Sequence, residues 1–170
     1  MIKGFKKFKF KNLKYLNQAR FLLLNKLRKL LKNKKVTFSN YHNFVDDKKH
    51  QKIQWELASY FRNKKIHLLC FEGIRGFLYN YFGQSVLIQK KPFLRIARPF
   101  KTEDNIGLHK DTIYGQSPYE MSIHVPLISL GNKSCLKFAE NSHLIDDKKI
   151  KFIKSQNLVR LNWLGLPVIF

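Results

Sequence analysis

Acidic residues are missing from the first 35 positions, where thirteen Lys or Arg stand unopposed. The other twenty basic residues share positions 36–170 with all eleven acids, so the formal charge of +22 is largely N-terminal. A field of that sign attracts nucleic acid, anionic lipid or acidic glycans without choosing among them. A residue usage rich in Lys, Asn, Ile and Phe along the whole chain produces the same charge with no partner at all. Cysteine is nearly absent: Cys70 and Cys135 lie far apart and form no CxxC pair. They suggest neither a disulfide framework nor a zinc site, and a reducing cytoplasm fits best. Long hydrophobic runs are lacking too. The stretch from Phe21 to Leu24 is broken by Asn25 and Lys26, which is too short for a bilayer span or a signal-peptide core.

What is present suffices for a core. With 44% apolar residues and fifteen Phe in 170 positions, the chain is too hydrophobic for a disordered protein and long enough for one domain. Leu16, Leu23, Leu27 and Leu30, with Leu24 and Leu31 beside them, fall at three-and-four spacing and predict an amphipathic helix from Leu13 to Leu31. Residues 1–35 thus read as a basic amphipathic segment, suited to packing on its own domain or to lying on an anionic membrane surface. Asp46 or Asp47 is placed to cap a second helix through Ile53, Leu57, Tyr60 and Phe61. A third, short helix is expected from Ile74 to Tyr81, stopped by Gly83. Beyond Gly83 the texture changes, and residues 86–88, 93–97, 121–128 and 134–138 read as short strands between Pro, Gly, Asn and acidic clusters. Helices followed by a run of strands describe an α+β domain.

The chemistry concentrates around His109 and Asp111. On a strand, residues two apart share a face, so an H-x-D pair brings an imidazole and a carboxylate to one cation. With a later His these make the facial triad of non-haem iron enzymes. The surrounding pieces come in order: 94–99 (LRIARP), 107–112 (GLHKDT), Tyr114-Gly115, 123–127 (IHVPL), 134–138 (SCLKF) and Asn141-Ser142-His143. Together they resemble the Fe(II)/2-oxoglutarate-dependent oxygenases of the phytanoyl-CoA dioxygenase type, most closely the branch found in bacterial carbohydrate biosynthesis clusters. The resemblance covers roughly residues 85–170, about half of the chain.

It implies a core of double-stranded β-helix (jelly-roll, cupin-like) architecture behind N-terminal helices, and an oxygenase-like domain over residues 36–170. It also implies Fe(II) and 2-oxoglutarate as cofactors, His109 and Asp111 as metal ligands, and a small-molecule substrate such as a sugar or a lipid-linked carbohydrate intermediate. The family's distal His and the Arg that binds 2-oxoglutarate have no counterpart in this sequence. Its end, 165–170 (GLPVIF), resembles the strand that runs into that His, so the chain is expected to be a truncated, partial β-helix that is either a piece of an enzyme or non-catalytic. His143 matches a structural Ser-His turn rather than a metal position.

Ser122 and His124 share a strand face and stand where the family lines its cosubstrate pocket; a hydrogen-bonded core histidine is an equal reading for His124. Arg95 and Arg98 lie an odd number of residues apart, so at most one faces a pocket. Arg98 and Tyr114 are the candidate substrate-binding residues, with a solvated Arg and a packed Tyr as the plainer alternatives. Glu103, Asp104 and Asn105 read as an ordinary polar loop. No helix-turn-helix, zinc finger, RNP or KH signature is present, so nucleic acid is not an expected partner. The expected location is the cytoplasm, peripherally at a membrane if residues 1–35 dock there.

Overall fold

Three amphipathic sequences bury one stripe each. The computed structural model describes residues 6–10, 12–105, 109, 111, 117, 120–131, 139 and 141–144. It divides into two compact units, Lys9–Asn105 and Met1–Phe8 with Ile106–Phe170. In the first, α1 (Lys14–Leu31) buries Leu16, Ala19, Leu23 and Leu27, and α2 (Asp47–Asn63) buries His50, Ile53, Leu57, Ala58 and Phe61. Helix α3 (Ile66–Phe82) buries Ile66, Cys70, Ile74 and Leu78. Steps of three and four keep each set on one side of its helix. The three helices pack pairwise, α1 most extensively on α3. Removing one such Leu or Ile side chain from water is worth about 1.5–3 kcal/mol. The expected division between residues 35 and 36 falls inside this unit, and the apolar face of α1 is consumed by its own domain.

Helix ends follow the local sequence. Asn12 Oδ1 accepts from Lys14 N at 2.8 Å at the head of α1, and Asp46 Oδ1 accepts from Lys49 N at 2.7 Å at the head of α2. Arg28 and Lys29 sit in the last turn of α1, where cations oppose the negative end of the helix dipole. Helix α3 begins eight residues earlier than Ile74, at Ile66, because Cys70 supplies the step that links Ile66 to Ile74 along one face. It ends at Gly83, whose φ of +83° glycine adopts without steric cost. A second glycine serves close approach: a Cβ on Gly73 would lie 2.7 Å from the Phe10 ring, so its absence lets Phe10 press against α3.

The α+β expectation is overturned. Among the described residues there is no strand, only isolated bridge residues at Lys6 and Ile123, and the regular structure is helical. A partial double-stranded β-helix core is therefore not what these residues form; the expected strand 134–138 lies outside them. Residues 92–98 explain the misreading. Leu94 and Ile96 are half-buried and Arg98 is buried, while Phe93, Arg95 and Ala97 are exposed, which is the two-residue alternation of a strand. Their partner is a side chain: Gln54 on α2 donates from Nε2 to Leu94 O at 2.5 Å and accepts at Oε1 from Ile96 N at 3.0 Å. Alternation reports extended backbone against a core, and a single amide can stand in for a neighbouring strand. At 86–88, Leu87 and Ile88 are exposed and cover no core.

Candidate functional sites

Helix α2 carries a polar stripe. Asp47, His50 and Gln54 are three and four residues apart, hence on one face, and the 92–98 segment held by Gln54 brings Arg98 opposite the first turn. The Arg98 fork grips Asp104 with Nε at 2.7 Å from Oδ2 and Nη2 at 2.9 Å from Oδ1, while Nη1 reaches Asp47 Oδ1 at 2.8 Å. The backbone N–H of Arg98 also donates to Asp104 Oδ2, at 2.9 Å. Behind them, His50 Nε2 lies 3.5 Å from Asp104 Oδ2 and Nδ1 lies 3.0 Å from the Tyr41 hydroxyl. An ionised Asp104 has no hydrogen to give, so Nε2 carries the proton that faces it and Nδ1 accepts from Tyr41. Outside, Lys101 Nζ bridges Asp47 at 2.9 Å and Glu103 at 3.5 Å. Tyr41 reaches the core from a connection fixed by Asn40, which binds Thr37 N, Thr37 Oγ1 and Lys35 O, and by Arg28 Nε on Val36 O.

The electrostatics are those of a closed cluster. The Arg98 guanidinium holds the Asp104 carboxyl down to about 2, against the opposing effect of burial. Burial, helped by Arg98, lowers the His50 pKa in spite of Asp104 and Asp47. Burial likewise pushes the Tyr41 hydroxyl up to about 12. Near neutral pH the cluster is an ionised Arg–Asp pair beside a neutral His and Tyr. With its side chain 3% exposed and its guanidinium clasped by two carboxylates, Arg98 serves the protein's own acids. Arg95 faces outward, as the odd spacing requires. Asp104, in a stretch that reads as an ordinary loop, is the hub; the signal for it was the Asp47–His50–Gln54 stripe, which puts three polar groups on the side of α2 that also carries Leu57 and Phe61.

The second constellation lies in the other unit. His109 Nε2 stands 3.2 Å from Asp111 Oδ1, and Ser122 Oγ donates to Asp111 Oδ2 at 2.8 Å. Ser122 is thereby placed on the Asp111 carboxylate, and His124, two residues on, is exposed. The side chains of His109 and Asp111 are 29% and 38% exposed, open enough for an ion to enter. Among the described residues no three His, Cys, Asp or Glu form a metal-holding group. Tyr114, Cys135 and the side chain of His143 lie outside the described residues. Among the described residues, no helix is long and apolar enough to cross a membrane. No family model, no curated protein and no solved structure matches the chain.

Proposed function

We propose that the chain acts as an Fe(II)- and 2-oxoglutarate-dependent oxygenase, or as the metal-binding part of one, with His109 and Asp111 as protein ligands. Its substrate would be a small molecule, with a sugar or lipid-linked carbohydrate intermediate as the class the sequence resemblance favours. The observation that supports the reading is the setting of Asp111. Ser122 occupies Oδ2, and Oδ1 is turned to His109 Nε2 at 3.2 Å. Adjacent donors on one octahedral ion, at bonds of about 2.1 Å, stand about 3 Å apart. The pair thus has close to the separation of neighbouring ligands, and an imidazole with a carboxylate supplies two of the three protein donors of such a site.

When bound there with 2-oxoglutarate, iron supplies the oxidation of a substrate C–H bond. His109 and Asp111 would hold the ion, and Ser122 would restrain the Asp111 carboxylate, the usual task of a hydrogen bond behind a ligand. Anaerobic titration with Fe(II) or Co(II), followed by calorimetry, is the direct test, with succinate release from 2-oxoglutarate as the second readout. Ser122→Ala is expected to weaken metal binding by about 10–100-fold. His109→Ala and Asp111→Ala are expected to weaken it further and, in a chain that carries the full triad, to abolish iron-dependent succinate release. Unchanged metal affinity in His109→Ala would end the reading.

A further inference from the structure

Between Glu72 and Glu103 the chain has six cations and no acidic residue. Within that stretch, Leu87 is 102% exposed, Phe93 76% and Phe100 103%, and Ile88 is also exposed. Lys90 and Lys91 are exposed between them. Large apolar side chains are thus left in water along one short segment, with two lysines between them. Phe100 is the extreme case. Its φ of +63° is a left-handed backbone that costs a non-glycine residue, and its ring covers nothing in return. The turn that presents it is closed from below by the two Arg98–Asp104 side-chain bonds and by Asp104 on Arg98 N. Asn105 Nδ2 on Lys101 O and Asn105 N on Thr102 O brace its far side. A buried ion pair therefore holds an aromatic residue out in solvent.

We propose that residues 87–100 form a peripheral docking surface for an anionic lipid bilayer, with Leu87, Ile88, Phe93 and Phe100 entering the headgroup boundary and Lys90 and Lys91 meeting lipid phosphates and carboxylates. Interleaved apolar and basic side chains with no acid among them are what such an interface selects. Leu87 and Ile88 favour a bilayer over a nucleic acid, because an aliphatic side chain enters a headgroup boundary but offers no flat face for a base to stack on. The apolar stripe of α1 is not available for this role, since Leu16, Ala19, Leu23 and Leu27 are buried. Contact is at the surface only, consistent with the lack of a membrane-crossing helix among the described residues.

The test is flotation of the full chain with vesicles of phosphatidylcholine and phosphatidylserine, alongside vesicles of phosphatidylcholine alone and a single-stranded oligonucleotide. The parent is expected to float with the anionic vesicles and weakly with the neutral ones. Leu87→Ser with Phe100→Ser leaves net charge unchanged and is expected to cost at least about tenfold in vesicle affinity. Lys90→Gln with Lys91→Gln is expected to cost about thirtyfold, roughly fivefold per cation. Circular dichroism should be the same for all three proteins, because every altered side chain is exposed. Equal flotation of parent and Leu87/Phe100 variant would overturn the proposal, as would failure of the parent to float. So would an oligonucleotide affinity that falls in both variants while vesicle binding does not.

Discussion

Asp104 and Asp111 are both carboxylates beside a histidine, and the difference between them separates a structural cluster from a candidate metal site. Asp104 is 5% exposed and accepts three hydrogen bonds from Arg98, with His50 beyond them. Its oxygens are committed, and any ion entering there would have to displace a buried guanidinium. Asp111 is 38% exposed, has Ser122 on one oxygen and turns the other to His109. Charge and proximity are alike at the two places. Accessibility and the identity of the neighbour decide which is closed and which can exchange a partner.

The largest effect should come from opening the closed cluster. Arg98→Met leaves Asp104 buried without its counter-charge and is expected to cost about 3–5 kcal/mol of stability, measured by urea denaturation. A loss below 1 kcal/mol would mean that the cluster is hydrated. Gln54→Ala removes both hydrogen bonds that hold the 92–98 segment, and the Leu94 carbonyl and Ile96 N–H then need new partners. The expected cost is about 1–3 kcal/mol, together with faster amide exchange at Ile96.

The pH dependence follows from the same contrast. His50 and His67 both have folded pKa values lowered below 6.5, chiefly by burial. Between that value and their lower folded values, the unfolded chain binds protons that the folded chain refuses, so stability falls as pH drops below 6.5. Asp104 adds a second loss between its ordinary 3.8 and about 2, where its pairing with Arg98 is protonated away. His50→Gln should flatten the melting-temperature profile below pH 6.5 without removing the His67 share; an unchanged slope would place the titration elsewhere. The smallest effect belongs to the open pair. His109→Ala is expected to change stability by less than about 0.5 kcal/mol, since its contact with Asp111 is partly solvent-screened. Loss of metal affinity without loss of melting temperature would distinguish that pair from the Arg98 cluster.

The helices were legible because each is specified within its own residues. Leu16, Leu23 and Leu27, and Ile53, Leu57 and Phe61, repeat at helical spacing, and Asp46 caps the turn that follows it whatever lies across from it. Gly83 stops α3 for an equally local reason, although the start at Ile66 was missed with Cys70. The strands were misjudged because alternation at 92–98 records burial on one side and carries no information about the partner, here Gln54 on a helix some forty residues away. The sequence by itself determined three amphipathic helices, an H-x-D pair and a basic chain short of cysteine. Only the tertiary structure decided that α1 spends its apolar face inside the domain, that Arg98 is bound to Asp104 and Asp47 and not held ready for a ligand, and that Ser122 stands behind Asp111. Helical periodicity and capping act over one or two turns, whereas the partner of a charge or an extended backbone is chosen by packing between residues far apart in the chain.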